Sequence, residues 1–191
     1  MNLSKGAAAA AVVLLLTVAA AGAEETPSGI AAEVDAALGA GDTVKALDLV
    51  EQYRQAVWDV APLAFRKTEL VAREPQAFGD DTPRADNVYD EDQEIHIYAE
   101  PVAYGRRQDA DGWVTDFVAD VRIAETDGTI IAAHKGFSEF KVVTPARDDS
   151  VFLAISYVFG GLGTGDYVVT TTLHDTISGK TGAFSTAITI R

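Results

Sequence analysis

Two periodicities divide the chain. Between residues 29 and 60 apolar positions recur at intervals of three and four, as on one face of a helix; from about residue 63 onward they recur at every second position, as on one face of a strand. Residues 29–38 read as a short helix, broken by Gly39-Ala40-Gly41. Asp42 is a good N-cap for a longer second helix in which Val44, Leu47, Val50, Tyr53 and Val57 fall on one face, and Pro62 ends it. This pattern predicts an αα-hairpin whose apolar stripe is covered by a neighbour.

The alternating part begins with a weak strand at 63–72, followed by a long acidic loop over 73–92 that contains Pro75, Gly79, Asp80, Asp81, Pro83 and Asp90. Residues 94–102 alternate, with Ile95, Ile97 and Ala99 on one side and His96, Tyr98 and Glu100 on the other. After a loop at 103–112 comes the clearest strand, 113–123, where Trp113, Thr115, Phe117, Ala119, Val121 and Ile123 share a face. Thr126-Asp127-Gly128 is a hairpin turn signal, with a returning strand at 129–134 and a further short one at 137–143. Residues 150–159 are nearly all apolar, as in a strand buried on both faces, and a glycine-rich connection at 160–165 leads to a final pair, 167–174 and 181–190.

This spacing predicts a mainly β protein, an immunoglobulin-like antiparallel β-sandwich of about seven strands over residues 63–191, preceded by the helical hairpin at 24–62. Tyr167, at the start of the penultimate strand, stands where such sandwiches turn a tyrosine hydroxyl back onto the chain. An outer-membrane barrel needs aromatic girdles, which 8% aromatic residues do not supply.

Residues 1–23 carry one positive charge at Lys5, an apolar run over 7–21 and the small-residue pattern Ala21-Gly22-Ala23. That is the form of a signal peptide cleaved near Ala23, and it predicts a periplasmic or extracellular protein with no transmembrane segment in its mature form. Cleavage there leaves 168 of the 191 residues, enough for one core, and with no cysteine no disulfide contributes to it. The formal net charge of −14 argues against nucleic-acid partners and anionic membranes.

Tyr98-Ala99-Glu100-Pro101, Tyr104-Gly105, Asp120-Val121-Arg122-Ile123, Gly165-Asp166-Tyr167, His174-Asp175 and Ser178-Gly179-Lys180-Thr181 resemble segments of uncharacterised exported bacterial proteins with a C-terminal immunoglobulin-like β-sandwich module. The resemblance implies a fold and carries no catalytic residue.

Candidate chemistry is sparse. The chain contains no G-x-S-x-G and no H-E-x-x-H, and the 160–165 glycines lack the Lys-Ser/Thr ending of a phosphate loop. Asp109-Ala110-Asp111-Gly112 with Asp116 has the oxygen-rich look of a calcium loop, but an Asp-Gly turn explains it. His96, His134 and His174 offer an alternative, a metal-binding protein or metal-dependent enzyme, if the fold gathers them. Otherwise the sequence calls for no cofactor. Glu100, Tyr104, Arg106, Arg107 and Trp113 bring contact-prone side chain types around one loop and form the candidate partner site. The leading expectation is an exported, non-enzymatic binding or assembly module that meets an envelope partner or a second copy of itself.

Overall fold

The computed structural model describes residues 26–191, so the expected signal peptide at 1–23 lies outside the described residues. Two helices come first, α1 (Pro27–Gly39) and α2 (Thr43–Val60). Proline in the first turn of α1 sets φ without wasting a donor. Gly41, at φ +72°, takes the left-handed position that closes α1, with Asp42 N donating to Ala37 O at 3.0 Å. Asp42 then caps α2 as expected, its side chain accepting from Lys45 N at 3.1 Å.

The expected stripe on α2 is not covered. Val44, Leu47 and Val50 are exposed, Leu47 by 64%, and the buried positions are Ala46, Leu49 and Trp58. The reason is the partner: α1 is alanine-rich and presents Ile30, Val34 and Ala37, so α2 approaches it closely through the small Ala46 and Ala56 and through Leu49. The hairpin therefore has a core of its own.

Nine strands follow among the described residues: β1 (Ala64–Val71), β2 (Val88–Tyr89), β3 (Ile95–Val102), β4 (Arg107–Asp109), β5 (Gly112–Glu125), β6 (Ile130–Thr144), β7 (Leu153–Tyr157), β8 (Gly165–Asp175) and β9 (Thr181–Ile190). One sheet has the order β1-β3-β7; the other runs β2-β9-β8-β5, with β4 and β6 both paired to β5. All pairings are antiparallel except β2 with β9. The two sheets face each other across one core, to which β3 and β7 contribute Ile95, Ile97, Ile155 and Tyr157, and β5, β8 and β9 contribute Phe117, Val169, Leu173 and Ile188. Each such side chain withdrawn from water contributes about 1.5–3 kcal/mol. The fold is thus mainly β and sandwich-like, behind two helices.

The alternation read along 113–123 holds from Thr115 onward, with Thr115, Phe117, Ala119 and Ile123 buried, whereas Val114 on the other face is fully buried and Trp113 is half-exposed. Four features differ from expectation. The strands expected at 129–134 and 137–143 are one strand, β6, continuous through a bulge opposite Asp120. Gly136 sits in that bulge at φ +61°, and its N–H donates to Asp120 Oδ1 at 2.8 Å. The apolar run at 150–159 yields only the five-residue β7, whose burial alternates: Leu153, Ile155 and Tyr157 face inward while Ala154 and Ser156 are half-exposed. Conversely, both faces of β3 are covered, because the acidic segment 73–86 folds over its outer side, where Gly79 N donates to Tyr98 Oη at 2.9 Å and Asp81 pairs with Lys67. The same segment ends in β2, which the sequence reading leaves as loop.

Among the described residues no helix is long and apolar enough to cross a membrane.

Candidate functional site

The last turn of α2, the segment after β3 and the turn between β8 and β9 meet at one end of the sheets. Trp58 is the joint. Its Nε1 donates to Tyr104 O at 2.7 Å, and its ring meets that of Tyr104 edge-on with centroids 5.0 Å apart. Tyr104 in turn meets Phe117 edge-on at 5.7 Å, which ties the joint to the sandwich core. Burial pushes the Tyr104 phenol pKa up, against the opposing pull of Arg106.

Arg106 lies over both rings, with Cζ 4.4 Å from the Trp58 centroid and 4.7 Å from that of Tyr104. Only 4% of its side chain is exposed. Nη2 pairs with Asp149, which also binds Arg54 on α2, while Nε and Nη1 are buried with no hydrogen-bond partner among the described residues. Stacking on aromatic faces suits a weakly hydrated guanidinium, so this arginine is held in place by both planes and by charge.

The turn after β8 completes the joint. Asp175, 1% exposed, accepts from Gly105 N at 2.5 Å, Ile177 N at 2.9 Å and Ser178 N at 3.2 Å, and from the Ser178 hydroxyl. Lys180 Nζ donates to Trp58 O at 3.0 Å and Ala103 O at 2.8 Å. Gly105 is required here by close approach: a Cβ on it would stand 2.8 Å from Ser178 N. Tyr104-Gly105 and the turn from Asp175 to Lys180 are thus two sides of one contact.

Above this joint opens a cleft of about 370 Å³ lined by Trp58, Tyr104, Arg106, Trp113, Arg147 and Ser178, among others. The exposed Arg147 lies over the Trp113 ring at 5.6 Å. Of the five residues expected at the site, Tyr104, Arg106 and Trp113 share this cleft. Arg107 is exposed on β4, paired with Val114 beside it. Glu100 is not brought here: it is buried on the outer side of β3, accepting from Tyr98 Oη at 2.7 Å. Burial, with the neighbouring Glu100 adding to it, pushes the Tyr98 phenol up to about 12. Sequence reasoning missed Trp58 and Arg147; Trp58 on a helix otherwise fitted to α1 was the available signal.

The histidines do not gather. His96 bonds Ser156 Oγ through Nδ1 at 2.9 Å on the three-stranded sheet, and His174 Nε2 meets Asp120 Oδ2 at 2.9 Å on the other. His134 is exposed on β6 opposite Val121. No group of three or more His, Cys, Asp or Glu side chains able to hold a metal ion occurs among the described residues, and Asp109 serves the β4–β5 turn by accepting from Asp111 N at 2.9 Å.

No family model and no curated protein matches the chain. Solved structures similar to it include the alkylpurine DNA glycosylase AlkC of Pseudomonas fluorescens bound to DNA with an abasic site analogue (12% identity, TM-score 0.37), covering 78% of this chain and 33% of that one. The C-terminal domain of Wzt is similar at 12% identity and a TM-score of 0.39 over 70% of this chain and 76% of that one. A CARDB domain from Pyrococcus furiosus gives 9% and 0.28 over 64% and 93%. The chain therefore spans about a third of the glycosylase's length, and scores this low carry no argument about function.

Proposed function

We propose that the chain is an exported, non-enzymatic binding or assembly module whose recognition site is the cleft between α2 and the end of the sheets. The observation that carries this is the wall of the cleft, where the exposed Arg147 lies 5.6 Å over the half-exposed Trp113 ring above the buried Arg106. That pair offers a partner the aromatic and arginine types that dominate binding energy. The partner proposed is an envelope protein.

The finer fold assignment is immunoglobulin-like. Its support is the strand order β1-β3-β7 against β9-β8-β5-β6, and Tyr167 at the start of β8, whose hydroxyl donates to Gly163 O at 2.8 Å. Export follows from the 1–23 pattern alone.

The test compares affinity capture from envelope extract by wild type and by a Trp113→Ala/Arg147→Ala variant with an unchanged melting profile. Both residues are at least partly exposed, so the fold tolerates the change. The proposal expects a partner retained by wild type and lost by the variant; recovery of the same proteins by both contradicts it.

A further inference from the structure

The strands β5 and β6 are 14 and 15 residues long, whereas β7 on the facing sheet has five. The far part of the β5–β6 hairpin therefore overhangs its cover. Ile123 pairs with Ala132 and Val121 with His134, and Ile123 is buried, so Ala132 and His134 share the inward face of this overhang. The bulge at Gly136 then breaks the alternation and turns Phe137 inward, where its ring lies 5.2 Å from Tyr157. Tyr157 stacks on Phe159 at 5.2 Å and 18° and shares a hydrogen bond with Thr171 Oγ1 at 2.5 Å; only 4% exposed, it forms the floor and leaves the half-buried Phe137 and Phe159 as the contact surfaces.

These side chains enclose a cleft of about 360 Å³, within the usual range for small-molecule sites. It lies at the opposite end of β5 from Trp113, roughly 30 Å away at about 3.3 Å per residue, and does not rest on the function proposed above. Its wall is three aromatic rings and aliphatic side chains; its polar groups are the His134 imidazole and the outer backbone edge of β7, an edge strand, at Ser156. Flat rings in series select a flat guest, and a single imidazole at the mouth selects one hydrogen-bonding substituent.

We propose that this cleft binds a small planar aromatic molecule with one hydrogen-bond-accepting or carboxylate substituent, the ring against Phe137 and Phe159 over the buried Tyr157 and the substituent on His134. Indole-3-acetate is the probe, titrated into ¹⁵N-labelled protein comprising residues 24–191 and followed by amide shifts. Saturable shifts confined to 121–123, 132–137 and 156–159 are expected. Ala132→Trp fills the cleft from an exposed position without removing a core contact and abolishes them. His134→Ala weakens binding about fivefold, one neutral hydrogen bond. No saturable shift up to about 1 mM, shifts centred elsewhere, or shifts that survive Ala132→Trp in a folded variant overturn the site. Binding unchanged by His134→Ala overturns the role of that residue. None of these outcomes bears on the cleft at Trp113.

Discussion

Asp175 holds more of the structure than its place in a surface turn suggests. Its carboxylate accepts from three backbone N–H groups, one of them on Gly105 across the joint, and from the Ser178 hydroxyl. Asp175→Ala leaves those part-buried donors without their shared acceptor, and it is expected to destabilise the protein by about 2 kcal/mol in urea denaturation. A loss under 1 kcal/mol means that the turn rearranges freely. Individual residues were legible in the sequence where their partners are near in the chain: Asp42 caps a helix three residues away, and Tyr167 reaches Gly163 four residues back. Arg106 was named for the site, but its burial was not legible, because it depends on Trp58, brought from a helix by tertiary packing. Glu100 was misplaced for the same reason, since the segment that buries its side of β3 has no apolar period to announce it.

At the level of elements, α2 separates two ways of choosing a helix face. Apolar spacing picks Val44, Leu47 and Val50, yet the small and intervening Ala46 and Leu49 are the buried ones, since an alanine-rich neighbour rewards close approach over side-chain bulk. Leu49→Ala is therefore expected to cost about 2–3 kcal/mol. Leu47→Gln is expected to stay within about 0.5 kcal/mol, both read by urea denaturation. Equal losses would restore the stripe as a buried face. The strand faces were legible along much of β5, where one side meets the core, but not on β7, whose apolar run hid its alternation, nor along β6, where the bulge at Gly136 joins two expected strands into one.

For the whole molecule, two cores of unequal size are joined at Trp58, with charge and hydrogen bonds around the joint and an acidic surface outside it. Several carboxylates are held below the ordinary aspartate range by backbone donors, Asp80 by Gln76 N, Asp120 by Gly136 N with help from His174, and Asp148 by Ser150 N. A depressed folded pKa contributes stability that is complete above the unfolded value and lost as pH falls through the folded one. Stability to urea is thus expected to fall as pH drops below the ordinary aspartate value of 3.8, and Asp120→Asn to flatten that fall; a midpoint constant across this range contradicts it.

The measurement that bears most directly on recognition at the joint is site-specific photo-crosslinking, with a photoreactive amino acid at position 147 and, as control, at the exposed position 187 on β9. Crosslinking in intact cells to a discrete partner from 147 and not from 187, abolished by Trp113→Ala, is the result predicted. Equal crosslinking from both positions, or a partner reached from 187 alone, would place recognition elsewhere on the molecule.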